Sequence, residues 1–281
     1  AEKARDGHIG LIVVEHSYVN VRGRASEKQM SAADDAKLTG LCRLAGLIRD
    51  CGSKSALQIN HAGSAAAGDR PMGPSAIAHP GRGTMPEALG IDQIRAIVSD
   101  FARAAALAKR AGFDAVEVHA AHGYLLSQFF SPLTNRREDQ YGGTLQNRAR
   151  IHLEIVRAVR AAVGGDYPII LRLGVSDYRP GGATVCDGVS AAQMLCESGV
   201  DMLDISGGFC GASNPDSSEP GYFADLSKAV RSAVPVPVIL TGGVQTAQQA
   251  EALLLGGSAD LIGVGRAILA DSDWARRAMG A

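Results

Sequence analysis

The chain has 281 residues, 46% of them hydrophobic and 20% charged, with a formal net charge of −1. That is enough apolar material for one large core, and the length is close to that of a β/α barrel. The balanced charge gives no basic surplus for nucleic acid, and no apolar run approaches the ~20 residues that a membrane helix needs. No leader pattern opens the chain, so a cytoplasmic location is expected. The five cysteines, Cys42, Cys51, Cys186, Cys196 and Cys210, are odd in number and form no C-x-x-C pair. Reduced thiols are therefore expected, and a zinc or iron–sulfur site is not.

In chain order, short apolar runs alternate with longer helical patterns, the mark of parallel βαβ units. The runs read as strands are 11–14, 55–59, 115–118, 169–173, 202–205, 236–240 and 261–264. Residues 94–111 form a helix on the spacing of Ile94, Ile97, Val98, Phe101 and Ala105, and Leu153, Val156, Val159 and Val163 mark another. The connection 63–90, rich in proline and glycine, is too long for an ordinary loop and reads as a lid or rim. No repeat or linker divides the chain, so 1–281 is read as one domain, a (β/α)8 barrel with its first strand missing. Seven strands are visible where a closed barrel has eight, and Ala1-Glu2-Lys3-Ala4-Arg5 resembles the end of a helix. An open seam is expected between the strand near Ile9 and the one near Leu261.

The chemistry gathers where the third run ends, at His119-Ala120-Ala121-His122-Gly123-Tyr124-Leu125. Two histidines three apart can donate to one polarised oxygen, and a tyrosine two residues on can deliver a proton. The same H-x-x-H suits zinc only with a third ligand, for which His61 is a candidate. Gln58 lies inside an apolar run and needs a buried partner. Arg172, within Ile169-Ile170-Leu171-Arg172-Leu173, needs either an anionic ligand or an ion pair with Glu117 or Asp204. Thr241-Gly242-Gly243-Val244 and Gly263-Val264-Gly265-Arg266 follow the runs that would be seventh and eighth in a full barrel. There, glycine turns and a helix starting at Ala267 would hold a phosphate. No lysine ends a strand where a Schiff base would form, since Lys54 precedes its run.

The segments Ser127-Gln128-Phe129-Phe130-Ser131-Pro132-Leu133-Thr134-Asn135-Arg136-Arg137, Asp139-Gln140-Tyr141-Gly142-Gly143 and Asn147-Arg148 follow the histidine motif. With Gln58-Ile59-Asn60-His61-Ala62-Gly63 and Leu261-Ile262-Gly263-Val264-Gly265-Arg266, the whole chain resembles the bacterial branch of the old yellow enzyme family, the NADH:flavin oxidoreductases and ene-reductases. The resemblance implies FMN as cofactor, NAD(P)H as reductant and an activated alkene as substrate, with a homo-oligomer left open. It places Gln58 and Arg172 at the flavin ring, and Gly242, Gly243, Gly265 and Arg266 at its phosphate. His119 and His122 would hold the substrate oxygen and Tyr124 would donate the proton. It also implies that family members begin with a further strand and helix that cradle the flavin.

This chain departs from the family pattern at His16, in Glu15-His16-Ser17, where many relatives carry a small residue; His16 either touches the flavin or shapes the cavity. Ser64-Ala65 stands where many relatives carry a basic residue. The chain shows no cysteine-rich extension before Ala281, and the iron–sulfur branch stays open if the native protein continues. Two other readings stand beside the ene-reductase: a barrel enzyme acting on a phosphorylated metabolite, such as an isomerase or aldolase, and a noncatalytic barrel fragment that completes itself with another chain. On the truncation reading, residues 1–281 alone are expected to fold poorly or to bind FMN weakly.

Overall fold

The computed structural model describes residues 2–80 and 83–280. Strand β1 (Leu11–Tyr18) is followed by α1 (Leu38–Asp50) and β2 (Lys54–Asn60). Two short strands, β3 (Met72–Gly73) and β4 (Glu87–Ala88), then lead into α2 (Ile91–Arg110) and β5 (Ala115–Ala120). After β5 come α3 (Leu125–Phe130), α4 (Leu145–Val163), β6 (Ile169–Gly174), α5 (Val185–Glu197) and β7 (Met202–Ser206). The last units are α6 (Ala224–Arg231), β8 (Val238–Thr241), α7 (Ala247–Leu255), β9 (Leu261–Gly263), α8 (Arg266–Ala270) and α9 (Trp274–Ala278).

Seven of these strands form one parallel sheet in the order β1-β2-β5-β6-β7-β8-β9, the seven that the sequence pattern predicts. The curled sheet with helices outside is a β/α barrel short of one strand. Among the described residues β1 and β9 do not pair, so the expected seam is present. The chain's two ends meet across it, where Lys3 Nζ donates to Ser272 Oγ at 2.7 Å. The segment expected to end a helix is instead a 3₁₀ stretch, Glu2–Gly7, broken where Asp6 takes φ 61°. Ala1, part of that expectation, lies outside the described residues.

Helices α2 and α4 pack on each other over the central strands. Ile94, Ile97, Phe101, Ala104 and Ala108 on α2 and Ile151, Ile155 and Val159 on α4 are buried at helical spacing. Each helix starts on a sequence-encoded cap: Gln93 Oε1 accepts from Gly90 N at 2.8 Å, and Thr144 Oγ1 accepts from Asn147 N at 3.3 Å. β2 beyond Lys54, all of β5 and most of β6 and β7 are buried, as parallel strands covered on both faces should be. The other end is bare by comparison. α7 has no buried residue, β9 has none, and Leu255 and Leu269 are 80% and 72% exposed.

The connection 63–90, read as a lid or rim, contains the two-residue parallel ladder β3–β4. Arg137 clamps it by donating to Pro74 O at 2.8 Å and Leu89 O at 2.6 Å while pairing with Asp139. His79, within the same segment, reaches Gly123 O at 3.2 Å, so this rim lies against the histidine motif.

Candidate active site

Alternation along each strand decides what faces the barrel interior. Ala56, Ala115 and Ile170 form an apolar cluster with Leu11 and Met202. Two residues further along the same faces the chain changes character, to Gln58, Glu117, Arg172 and Asp204. Gln58 Nε2 donates to Glu117 Oε2 in a short hydrogen bond, and Arg172 Nε lies 3.3 Å from Asp204 Oδ2. Of the two partners the sequence offered Arg172, the structure places Asp204 beside it. The pairing is loose: its geometry is poor for a hydrogen bond, and Arg172 Nη2 turns to Thr241 Oγ1 at 3.3 Å. Burial first, and then the neighbouring Asp204 charge, raises the Glu117 carboxyl; burial also raises Asp204, opposed by Arg172.

Above this layer, at the mouth, lie His16, Asn60, His119, His122 and Ser206. β1 and β2 run in register up to Val14↔Leu57 and resume at Ser17↔Ile59, so Glu15 and His16 together oppose Gln58 in a β-bulge. The His119 and His122 rings meet edge to face with centroids 4.9 Å apart, and Tyr124 packs 5.2 Å from His119 and 5.3 Å from His16. These are the three residues that the motif predicted to act together. His122 takes φ 60° and Gly123 φ 71°, so the turn after β5 is left-handed at a non-glycine residue. Such strain persists only where the surroundings fix it. The fixing contacts are His122 N to Gly207 O at 3.0 Å and His122 Nε2 with Ser206 Oγ at 2.7 Å.

Gln128 holds the turn from below. Its Nε2 donates to Ala62 O at 3.0 Å and Gly123 O at 2.8 Å, and its Oε1 accepts from Ser64 N at 2.9 Å. A Cβ on Gly63 would lie 2.2 Å from that same oxygen, so the glycine is required. Burial and the Arg172 charge lower the His122 pKa to about 3, and burial also takes His119 well below its ordinary range. Both imidazoles are neutral near pH 7, able to donate without carrying charge. His61 is buried with its Nδ1 accepting from Gly63 N at 3.0 Å, and no group of three metal-binding side chains occurs among the described residues.

The opposite rim carries the glycine turns. Gly242 and Gly243 take φ 140° and 74°, and a Cβ on either would come within about 3 Å of the Tyr222 ring. Arg266 Nη2 donates to Tyr222 Oη at 2.8 Å, and a Cβ on Gly265 would meet nothing within 4 Å. The helix expected from Ala267 begins at Arg266 and has only five residues. Its dipole is correspondingly slight, which leaves backbone N–H groups and the Arg266 fork to receive an anion. Thr241 links the two rims: it precedes Gly242, pairs in register with Gly263 and receives Arg172.

Between the rims, Asn60 Oδ1, Glu117 Oε1, Asp204 Oδ1 and Arg172 Nε are buried without hydrogen-bond partners. Four such atoms on the adjacent strands β2, β5, β6 and β7 are far from the norm for a folded interior and fit a polar ligand offering donors and acceptors together. The heteroatom edge of an isoalloxazine has that alternation, so the residues present fit a flavin ring. Sequence reasoning missed Ser206, Asn60 and Gln128. Gln128 lies in the segment just after the histidine motif and Asn60 ends a strand, but the partners of both are set by tertiary approach.

The sequence pattern of the NADH:flavin oxidoreductase / NADH oxidase family matches residues 1–280. The chain belongs to this family. It is 38% identical over 97% of its length to an NADPH dehydrogenase of Bacillus licheniformis, covering 80% of that protein. A 38% identical NADH oxidase of Thermoanaerobacter brockii matches 98% of the chain, which spans only 44% of that relative's length. The structure of morphinone reductase in complex with tetrahydroNAD superposes with a TM-score of 0.83 at 30% identity, covering 99% of this chain and 79% of that one. The family's fold is thus the barrel described here, and its redox cofactor is FMN with a nicotinamide reductant.

Proposed function

We propose that this chain is a single FMN-binding barrel domain that takes reducing equivalents from NAD(P)H and reduces the C=C bond of an activated alkene. The carrying observation is the set of buried polar atoms at and below the histidine mouth that make no hydrogen bond, Asn60 Oδ1, Glu117 Oε1, Asp204 Oδ1 and Arg172 Nε, continuous through Thr241 with the glycine turns. FMN bound there would supply hydride transfer at its N5. Gln58 and Arg172 would hold its ring, and Gly242, Gly243, Gly265 and Arg266 its phosphate.

The protein's own part is binding and polarisation. His119 and His122, kept neutral by burial, donate to the oxygen of the activating group and stabilise the charge that develops on it. Tyr124 delivers the proton to the α-carbon, and its packing against two imidazole rings fixes where the phenol stands. Arg172 would bring positive charge to the bound ring, which would favour its reduced form. The morphinone reductase complex carries a nicotinamide analogue, which supports one surface serving both reductant and alkene.

Tyr124→Phe separates the two half-reactions. Reduction of the bound flavin by NAD(P)H, followed by stopped-flow absorbance, should persist. Oxidation of the reduced flavin by 2-cyclohexenone should slow by roughly 10²–10⁴. Equal slowing of both steps would remove Tyr124 from proton delivery.

A further inference from the structure

His16 differs from its surroundings in a way that fixes its protonation. Gln29 Oε1 accepts from Ala25 N at 2.6 Å, while its Nε2 donates to His16 O at 2.9 Å and faces His16 Nδ1 at 2.8 Å. Reversing that amide would set an NH₂ against the Ala25 N–H and a carbonyl oxygen against the His16 carbonyl. The amide nitrogen therefore faces Nδ1, which must accept. Asn60 Nδ2 approaches the same nitrogen at 3.3 Å. With Nδ1 as acceptor, the proton of neutral His16 sits on Nε2, which has no acceptor among the described residues. His119 is arranged alike, its Nδ1 accepting from Ala121 N at 3.3 Å, which leaves its proton on Nε2.

The two rings stand edge to face, 5.9 Å between centroids, with Tyr124 against both. The β-bulge at Glu15–His16 is what turns the His16 side chain to this place. Burial keeps His16 neutral, Glu15 opposing this and Arg172 reinforcing it, and the Arg172 charge bears on all three mouth histidines.

We propose that His16 is a specificity residue: its Nε2–H and that of His119 form a two-point donor set for an activating group bearing two oxygens, a carboxylate or a nitro group, in preference to a lone ketone. The inference rests on the reading of His119 as a substrate-binding donor. A ketone offers one acceptor atom, which His119 and His122 share, leaving His16 to water. A carboxylate satisfies both imidazoles and gains from the nearby guanidinium.

The test uses the FMN-loaded protein and two saturated probes of one ring size, cyclohexanecarboxylate and cyclohexanone, titrated by calorimetry. His16→Ala should weaken the carboxylate about tenfold or more, the loss expected for a hydrogen bond to a charged acceptor, and change the ketone less than about twofold. His16→Gln, which keeps an N–H donor, should recover part of the carboxylate affinity. His119→Ala should weaken both probes. Equal weakening of the two probes by His16→Ala, or no effect on either, overturns the proposal, as does loss of FMN from both His16 variants, which would make His16 a flavin contact. If His119→Ala leaves both probes unaffected while His16→Ala is selective, the underlying site reading fails instead.

Discussion

The two rims of the barrel mouth are built to different standards. The histidine rim grows out of β5, buried over its whole length, and its strained turn is bound by Gly207, Ser206 and Gln128. The glycine rim follows β8 and β9, where α7 and β9 contribute no buried residue and Leu255 and Leu269 face outward. On the proposed function, chemistry that needs placement within half an ångström would sit where packing can hold it. Anchoring of an anion, which tolerates looser geometry, would sit beside the open seam.

The most forceful way to break this contrast is to remove the seam. An N-terminal extension forming a strand between β1 and β9 with a covering helix should raise unfolding stability by roughly 3–5 kcal/mol if it covers two exposed leucines. FMN retention should improve with it. Denaturant unfolding and flavin titration check both, and stoichiometric FMN binding by residues 1–281 alone, unimproved by the extension, would show that the edge costs nothing.

Arg266→Ala probes the glycine rim by itself. Loss of a charge-assisted contact to phosphate should weaken FMN roughly 10–100-fold, about 1.5–3 kcal/mol, with the ring's absorption spectrum otherwise unchanged. Affinity equal to that of the unaltered protein in a fluorescence titration would place the phosphate elsewhere.

His152 sharpens the contrast from the packed side. It is buried on α4, its ring 5.9 Å from Phe130, and burial lowers its pKa to about 4. The unfolded chain, at about 6.5, therefore binds this proton first on acidification. The stability that neutral His152 contributes is present above pH 6.5 and lost as pH falls towards 4, about 2 kcal/mol of it by pH 5. His152→Leu should flatten that part of the stability–pH curve measured by urea unfolding between pH 7.5 and 5. An unchanged slope would assign the acid sensitivity to other groups.

The apolar runs were legible because parallel strands covered on both faces must be apolar throughout, and all seven appear within a few residues of their expected limits. Their ends were less so: β1 continues past Val14 to Tyr18 because a bulge, invisible in composition, carries His16 into the site. His119, His122 and Tyr124 were readable from spacing and from their place at a strand end. Ser206 and Gln29 were not, since a lone serine or glutamine carries no signal until a distant turn approaches it. The Arg172 partner was readable only as a choice between two carboxylates, because both flank β6 and only the register, with Asp204 opposite Arg172 and Glu117 opposite Ile170, settles which is adjacent.

Gln128 spends its whole amide on three backbone groups, two in the loop after β2 and one in the turn after β5. Those two loops are thereby welded into one mechanical body, and neither can swing aside to admit a ligand without breaking buried hydrogen bonds. On the proposed function, exchange of one ligand for the next at the mouth would then proceed over a floor that stays fixed, without any motion of the histidines.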